Sequence, residues 1–230
     1  MWRYPVKSLQ GERLDTADVT AEGLAGDRAF GIVDCATGLV LTGRREPRLL
    51  FASAHFDNGA VTIALDDGTV LADDAALSEW LGRPVELRSA DPQQGGKYEI
   101  QLDFENEETA EWFSWTGPTG PFHDSTKTRV SIVSTASIGA WATRRFRANV
   151  VVEGAGEDEL VGTTIRLGGS VLDVVKKIDR CQMVTRPQPG GITRDIEVLR
   201  TITREREGNL GVGALVVAPG PIAVGDELLR

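Results

Sequence analysis

Residues 164–175 read TIRLGGSVLDVV, a stretch in which a Gly-Gly pair separates two short apolar segments. This pattern is typical of a β-hairpin, because glycine accepts the backbone conformations that a tight turn requires. Similar turn signals, Asn58-Gly59 and Asp67-Gly68, flank a strand predicted over residues 61–65. The recurrence of short strands between turn residues indicates a mainly β chain.

Other segments rich in β-branched or apolar residues predict further strands over 30–33, 39–41, 130–133, 150–152 and 215–217. Few helices are expected: one over 73–81 with Gly82 as its stop, and one from Ser134 to about residue 145. The glycine-rich segment 208–213 is interpreted as a turn. Many short strands with a few short helices favour barrels or sandwiches over alternating βαβ units.

Composition excludes several classes of protein. The chain has 230 residues, 41% of them hydrophobic, and its two cysteines cannot form a disulfide framework or an iron–sulfur cluster unaided. A net charge of −9 disfavours nucleic acid, whose phosphates select cationic surfaces. No apolar run approaches the roughly 18 residues of a membrane span, and no leader segment is recognised. We therefore expect a cytoplasmic protein without membrane or nucleic-acid partners.

Charge and aromatic content divide the chain into three parts. The net charge is −5 over residues 1–90, −7 over 91–125 and +3 over 126–230. The middle part holds an acidic run at 105–108 and six of the 14 aromatic residues: Tyr98, Phe104, Trp112, Phe113, Trp115 and Phe122. It is interpreted either as a solvated connection pinned by its aromatics or as a lid facing a substrate. The predicted domains are 1–90 and 126–230.

The two cysteines lie in different surroundings. Cys181 follows Lys176, Lys177 and Arg180 at the end of a predicted strand. Neighbouring cations favour the thiolate, which is a nucleophile and a ligand for soft metals. A buried small apolar role for Cys181 is an equal alternative from composition. Cys35 lies in a predicted turn, where a structural or incidental role is expected.

Isolated cations and histidines add weaker signals. His55 and His123 have no partner at metal-ligand spacing, and no phosphate-binding loop, dinucleotide fingerprint or nucleophile elbow is found. Lys7, Arg28 and Arg147 each stand near a strand or turn end. Separately, each is typical of a surface salt bridge. Together, they would form a pocket for a polyanion, because arginine forks suit phosphate.

Ordered motifs resemble those of a known family. Tyr4-Pro5-Val6-Lys7-Ser8-Leu9, Gly23-Leu24-Ala25-Gly26-Asp27-Arg28 and Glu46-Pro47-Arg48-Leu49 resemble the N-terminal β-barrel that accompanies MOSC domains. Phe146-Arg147-Ala148-Asn149, the turn 157–162, Arg180-Cys181 with Thr185, and Val224-Gly225-Asp226 resemble the MOSC domain itself. The resemblance leaves only about residues 91–123 without a counterpart. It implies two β-barrel-like domains with a molybdenum cofactor between them.

The resemblance also implies roles for particular residues. Cys181 would be the thiolate ligand of molybdenum. The side chains expected to hold the anionic pterin and its phosphate are Lys7, Arg28, Arg147, Asn149 and Arg180, together with Ser125 and Thr126, which follow Asp124. The loop 184–191 departs from the sequence that relatives carry after this cysteine, so the resemblance implies no particular substrate.

Two functions follow as hypotheses. The first is an oxidoreductase that reduces N-hydroxylated or N-oxygenated compounds at a molybdenum cofactor. Its electrons would come from a separate ferredoxin, flavin or cytochrome-type protein, since the chain cannot carry an iron–sulfur relay. The second is a non-catalytic carrier, in which Cys181 binds the cofactor or holds a persulfide supplied by a pyridoxal-phosphate desulfurase. A two-barrel protein that has lost its cofactor is a third alternative.

Overall fold

A computed structural model describes residues 1–103, 105, 106 and 109–230. The strands of the first part are β1 Trp2–Arg3, β2 Glu12–Arg13, β3 Thr16–Thr20, β4 Gly23–Leu24, β5 Phe30–Asp34, β6 Ala52–Asp57, β7 Ala60–Leu65, β8 Val85–Ser89, β9 Gly95–Ile100 and β10 Phe113–Thr119. Those of the second part are β11 Val130–Ser134, β12 Val150–Val152, β13 Thr164–Leu167, β14 Ser170–Asp179, β15 Asn209–Ala218, β16 Gly220–Ala223 and β17 Leu228–Leu229. The α-helices are α1 Asp74–Leu81, α2 Thr135–Ile138 and α3 Glu197–Arg206, and short 3-10 helices span Pro47–Phe51, Thr143–Phe146, Glu157–Leu160 and Gln182–Thr185.

The prediction of a mainly β chain with a few short helices is confirmed. Seven of the eight predicted strands lie within observed strands, and the 164–175 hairpin is the β13–β14 pair. The strand predicted over 39–41 is wrong. Val40 forms only an isolated antiparallel bridge with Val33. Its amide faces away from β5 and donates to the carbonyl of Lys97 at 2.8 Å.

The helix over 73–81 is confirmed as α1. The Asp73 side chain accepts a hydrogen bond from the Ala76 amide, and Gly82 ends the helix with φ of 66°. The helix predicted from Ser134 to about residue 145 is wrong. Ser134 does cap a helix, but Gly139 adopts φ 56° and ψ −128°, which ends α2 after one turn. A separate 3-10 helix then begins at Thr143.

The turn predicted over 208–213 is also wrong, because β15 begins at Asn209. The glycines in this strand serve close packing. A Cβ on Gly211 would lie 2.7 Å from the Ile132 carbonyl oxygen, and one on Gly213 would lie 2.3 Å from Thr128 Oγ1. The glycines are therefore explained by close contact with β11 and the segment before it, because a strand can also need glycine where another part of the chain lies too close for a side chain.

A six-stranded sheet organises the second part of the chain. Its order is β12-β11-β15-β14-β13-β17, with β11 and β12 parallel and the other neighbouring pairs antiparallel. The register of β14 against β15 shifts at three places, which bends the pair. The long strand β14 ends at Asp179, which places Arg180 and Cys181 directly after the C-terminal end of this interior strand.

The two parts of the chain share a core. Val19 and Leu24, from β3 and β4, pack with the apolar face of the six-stranded sheet. The pairing of β16 with β3 continues this contact as a three-stranded sheet, β16-β3-β4. A separate apolar core under β5–β8 and α1 includes Leu9, Ile32, Leu49 and Leu77. The first part is thus anchored to the second by strands and by shared packing.

The stretch 91–125, interpreted from sequence as a connection or a lid, contains the hairpin β9–β10. Tyr98 and Phe122 are buried in a small core with Val33 and Val40, and the Trp115 ring lies 4.9 Å from the Tyr98 ring. Of the predicted features, Phe104, Glu107 and Glu108 lie outside the described residues. Among the helices that the structure describes, no helix has both the length and the hydropathy of a bilayer span.

Candidate functional site

A cleft of about 330 Å³ lies where the two parts of the chain meet. Among the described residues, ten charged side chains line it, eight of them cationic: Lys7, Arg28, Arg44, Arg129, Arg145, Arg147, Lys176 and Arg180, against Asp124 and Asp179. The cleft is thus positively charged, although the chain as a whole has a net charge of −9. Such a concentration in a concave, partly dehydrated site attracts anions strongly.

Three residues that line the cleft have an unusual backbone conformation. Ser8, Arg28 and Arg147 have φ values of 68°, 53° and 50°, in the left-handed region that non-glycine residues rarely adopt. All three line the cleft. Each such conformation costs free energy and persists only where the surrounding structure fixes it. The fold therefore accepts local strain to direct these side chains.

Arg28 and Arg147 are held together against one aromatic ring. Their guanidinium carbons lie 5.4 and 4.3 Å from the centre of the Tyr4 ring. Arg28 also pairs closely with Asp27 and donates to the carbonyl of Arg147 at 3.3 Å. Burial lowers the pKa of Arg147 to about 10, with only partial compensation from Tyr4. A second negative group beside these cations would relieve that cost.

Lys7 is a buried ammonium at the next position in the cleft. Its Nζ lies 2.8 Å from Asp124 Oδ1, donates to the Phe122 carbonyl at 2.9 Å, and lies 4.9 Å from the centre of the Tyr98 ring. Desolvation lowers the pKa of Lys7 to about 8, although Asp124 opposes this effect. Desolvation raises the pKa of Asp124, but Lys7 and Arg44 outweigh it and hold that pKa well below its usual range.

Cys181 lies at one end of the cleft, between β14 and the 3-10 helix Gln182–Thr185. It is half-buried, and its Sγ accepts a hydrogen bond from Arg44 Nε at 3.4 Å. Arg44 Nη2 donates to Asp124 Oδ1 at 3.3 Å. Burial lowers the pKa of Arg44, but its interactions with Cys181 and Asp124 more than offset this and raise the pKa.

Arg180 is fixed by the backbone beside the thiol. Its Nε donates to the Leu210 carbonyl at 2.7 Å and its Nη1 to the Phe146 carbonyl at 2.8 Å. Desolvation lowers the pKa of Arg180 to about 10. Its Nη2 is buried and has no hydrogen-bond partner among the described residues. A bound acceptor could satisfy this donor.

The other residues expected at the site differ in placement. Ser125 lines the cleft, whereas Thr126 is exposed and lies outside the lining. Asn149 lines the cleft but is bound to the fold: its Oδ1 accepts from the Ser131 amide and hydroxyl at 3.1 and 2.8 Å. Its Nδ2 donates to the Trp2 carbonyl at 3.3 Å. Cys35 is exposed and lies outside the lining.

Several lining residues, among them Arg145, His123 and Arg44, were not site candidates from sequence. Arg145 donates to the carbonyls of Val184, Arg186 and Thr193, which fixes the loop that follows Cys181. His123 is buried, and burial together with nearby Arg28 lowers its pKa to about 4, so its ring is neutral at pH 7. Arg44 was missed because its neighbour Arg45 looks equivalent in the sequence.

Family comparisons agree with this architecture. The model of the MOSC N-terminal beta barrel domain matches residues 1–116, and the model of the MOSC domain matches residues 119–229. The chain belongs to the MOSC family. The prediction of an N-terminal MOSC barrel followed by a MOSC barrel is confirmed. The cleft therefore lies at the junction of two MOSC-type domains.

Individual relatives are distant. The chain is 26% identical to mitochondrial amidoxime reducing component 2 of Bos taurus, over 90% of this chain and 71% of that protein. It is 25% identical to the molybdenum cofactor sulfurase of Drosophila willistoni, over 93% of this chain but only 30% of that protein. The solved YUAD protein from Bacillus subtilis matches with a TM-score of 0.47 and 15% identity, covering 99% of this chain and 91% of that one.

Proposed function

We propose that this MOSC protein binds a molybdenum cofactor in the cleft and reduces N-hydroxylated or N-oxygenated compounds. The observation that carries the proposal is the meeting of one half-buried thiol with eight cationic side chains in a single cleft. A soft donor and a polyanion pocket are what a molybdenum–pterin phosphate requires of a protein.

The residues present fit such a group. Arg44 Nη1 and Arg180 Nη2 are buried donors without partners among the described residues, and both side chains line the cleft. A buried donor without an acceptor costs about 1–3 kcal/mol, so a ligand that accepts from these groups gains that amount. The chain's cations outnumber the carboxylates around the cleft, which matches an anionic ligand.

Each part of the cleft takes a separate role in the proposal. Cys181 supplies the thiolate ligand of molybdenum. Arg28 and Arg147, stacked on Tyr4, bind the pterin and its phosphate with Lys7, Arg180 and Ser125. Asn149 positions β11 and the N-terminal strand beside them through its bonds to Ser131 and Trp2. Thr126 is the weakest member of the proposed set, since it lies outside the lining.

When bound, the cofactor would supply a metal centre that removes one oxygen atom from the substrate with two electrons. Reduction of an amidoxime to an amidine also consumes two protons and releases water. The pKa of Lys7 is about 8, so its amine is protonated at neutral pH. Asp124, which is half exposed to solvent, lies 2.8 Å from Lys7 Nζ. Lys7 can therefore donate a proton within the cleft, whereas Asp124, whose pKa lies well below its usual range, stays ionised beside it.

The relatives support this proposal at the level of the family. The Bos taurus protein is named as an amidoxime reducing component, and most of its length aligns with this chain. Electrons would come from a separate redox protein of ferredoxin, flavin or cytochrome type.

The test is metal and pterin analysis of protein made in a cofactor-competent host, followed by reduction of benzamidoxime with a reduced viologen dye as electron donor. We expect molybdenum and pterin at about one per chain, and formation of benzamidine. Cys181→Ala removes the proposed ligand, and Cys35→Ala is the matched control at the exposed cysteine. Full molybdenum and activity in Cys181→Ala would refute the ligand role.

A second candidate is cofactor or sulfur delivery. It is favoured by the alignment of 93% of this chain with part of a molybdenum cofactor sulfurase, and by the partial exposure of Cys181. Sulfur would then come from a separate pyridoxal-phosphate desulfurase. Mass spectrometry after incubation with such an enzyme and cysteine distinguishes the candidates: a stable one-sulfur adduct on Cys181 without benzamidoxime reduction favours delivery.

A further inference from the structure

Arg44 connects the first part of the chain to the thiol of the second. It lies in the turn before the 3-10 helix Pro47–Phe51, and its side chain crosses the cleft to Cys181 and Asp124. The side chain is only 10% exposed, so its charge is nearly enclosed by protein.

The backbone of this turn is fixed from both sides. The Arg44 carbonyl accepts a hydrogen bond from Arg186 Nη2 at 3.1 Å. Next to it, Gly43 packs so closely that a Cβ there would lie 2.8 Å from Met183 Sδ. Arg186 and Met183 belong to the segment that follows Cys181, so the guanidinium and the thiol are held by one packed unit.

The three nitrogens of the guanidinium are used differently. Nε donates to the Cys181 sulfur and Nη2 to Asp124, whereas Nη1 is buried without a partner among the described residues. Two anchored nitrogens leave the third in a fixed direction. A buried cationic donor held in this way is a binding group for an anionic acceptor.

We propose that Arg44 is a positioning residue for Cys181 and that its Nη1 forms an anion subsite beside the thiol, suited to an anionic oxygen of a bound ligand. The identity of that ligand rests on the proposed function. The subsite itself belongs to this chain's own residues and is testable without molybdenum.

Arg45 provides a matched control. It is the next residue in the sequence, but its side chain is 48% exposed, pairs with Glu99 and stacks on the Trp112 ring at 4.6 Å. It does not line the cleft. Substitution of Arg45 therefore removes one positive charge from the protein without changing the surroundings of the Cys181 thiol.

The test compares alkylation of Cys181 by anionic iodoacetate and neutral iodoacetamide, in a Cys35→Ser background without cofactor. In both reactions the thiolate sulfur bonds to carbon and iodide leaves. Both rates depend equally on the fraction of Cys181 that is ionised, so this fraction cancels when the iodoacetate rate is divided by the iodoacetamide rate at the same pH. The ratio therefore measures how strongly the site attracts an anion. We expect Arg44→Met to lower this ratio by about threefold to tenfold, as for loss of a unit charge a few ångströms away. Arg45→Met should leave it unchanged.

An unchanged ratio in folded Arg44→Met, with Cys181 still reactive, would overturn the proposal. Arg44→Gln, which keeps a hydrogen-bonding group, provides the same test if Arg44→Met does not fold. If neither variant folds, the parent chain decides: the ratio at Cys181 must exceed that at Cys35, measured in a Cys181→Ser background. A lowered ratio in Arg44→Met in a protein that never acquires molybdenum would support the subsite and reject the proposed cofactor.

Discussion

Lys7→Met should stabilise the protein while weakening its site. Burial lowers the pKa of Lys7 from its ordinary 10.5 to about 8, so the protonated amine is less stable in the folded chain than in water. At about 1.4 kcal/mol for each pKa unit, this difference corresponds to roughly 3 kcal/mol of lost stability below pH 8. Met fills a similar volume without charge, but Asp124 then loses its 2.8 Å partner. Because Asp124 is half exposed to solvent and keeps Arg44 at 3.3 Å, this loss offsets only part of the gain, and we expect a net increase of about 1–2 kcal/mol in unfolding free energy at pH 7.

The pH dependence of that gain is the sharper test. The unfolded chain keeps the lysine proton up to about pH 10.5, whereas folded Lys7 releases it near pH 8. Between these values the unfolded state binds more protons, so the stability of the parent protein rises with pH relative to the variant. The advantage of Lys7→Met should be constant below pH 8 and shrink above it. Because the parent gains roughly 3 kcal/mol between pH 8 and about 10.5, the parent should be the more stable protein at the upper end of this range.

Urea unfolding at pH values from about 6 to about 10.5 measures this difference, because contributions from other groups largely cancel between the two proteins. Lys127→Met, at an exposed lysine, is the control and should show no such window. An advantage that stays constant through pH 8–10.5, or a loss of stability at pH 7, would refute the reasoning about Lys7.

Three further outcomes are expected. Asn149→Ala should cost about 1–3 kcal/mol in thermal or urea unfolding, because it leaves the buried Ser131 amide and hydroxyl without their acceptor; no measurable loss would contradict this. Arg145→Met should speed amide hydrogen exchange over residues 184–193, whose carbonyls it holds, and unchanged exchange would argue against that role. Retention of pterin by the parent protein should weaken above pH 8 as Lys7 loses its proton, and a flat profile across that pH would count against Lys7 as a ligand-binding cation.

Strands could be predicted from this sequence where local pattern and tertiary structure agree. The Gly168-Gly169 turn and the apolar segments around it form β13 and β14 as expected. The prediction failed where glycine had a second use. Gly211 and Gly213 suggested a turn, yet they lie in β15 because neighbouring backbone and side chains approach too closely for a Cβ. Local composition cannot distinguish these two reasons for glycine.

The candidate site was predicted in part. Lys7, Arg28 and Arg147 converge on one cleft, as the polyanion-pocket interpretation required. Arg180 and Cys181, expected at the site from the family resemblance, line the same cleft. Which cation contacts the thiol could not be foreseen, because that contact joins residues 137 positions apart in the sequence. Such long-range contacts are set by the packing of the two parts of the chain.

For Asn149 the sequence predicted the right place but not the right contacts. The resemblance implied a cofactor contact, and the residue does line the cleft, but its side chain is bound to Ser131 and Trp2. A motif residue can thus be required at a site because it fixes the strands that form the site. Sequence pattern alone does not separate these roles.

The most direct test of the account is molybdenum and pterin content in three proteins made in the same cofactor-competent host: the parent, Cys35→Ala and Cys181→Ala. If Cys181 is the ligand in this cationic cleft, the first two should carry about one molybdenum per chain and the third should lose most of it while remaining folded. Equal molybdenum in all three, or none in the parent, would contradict the central claim.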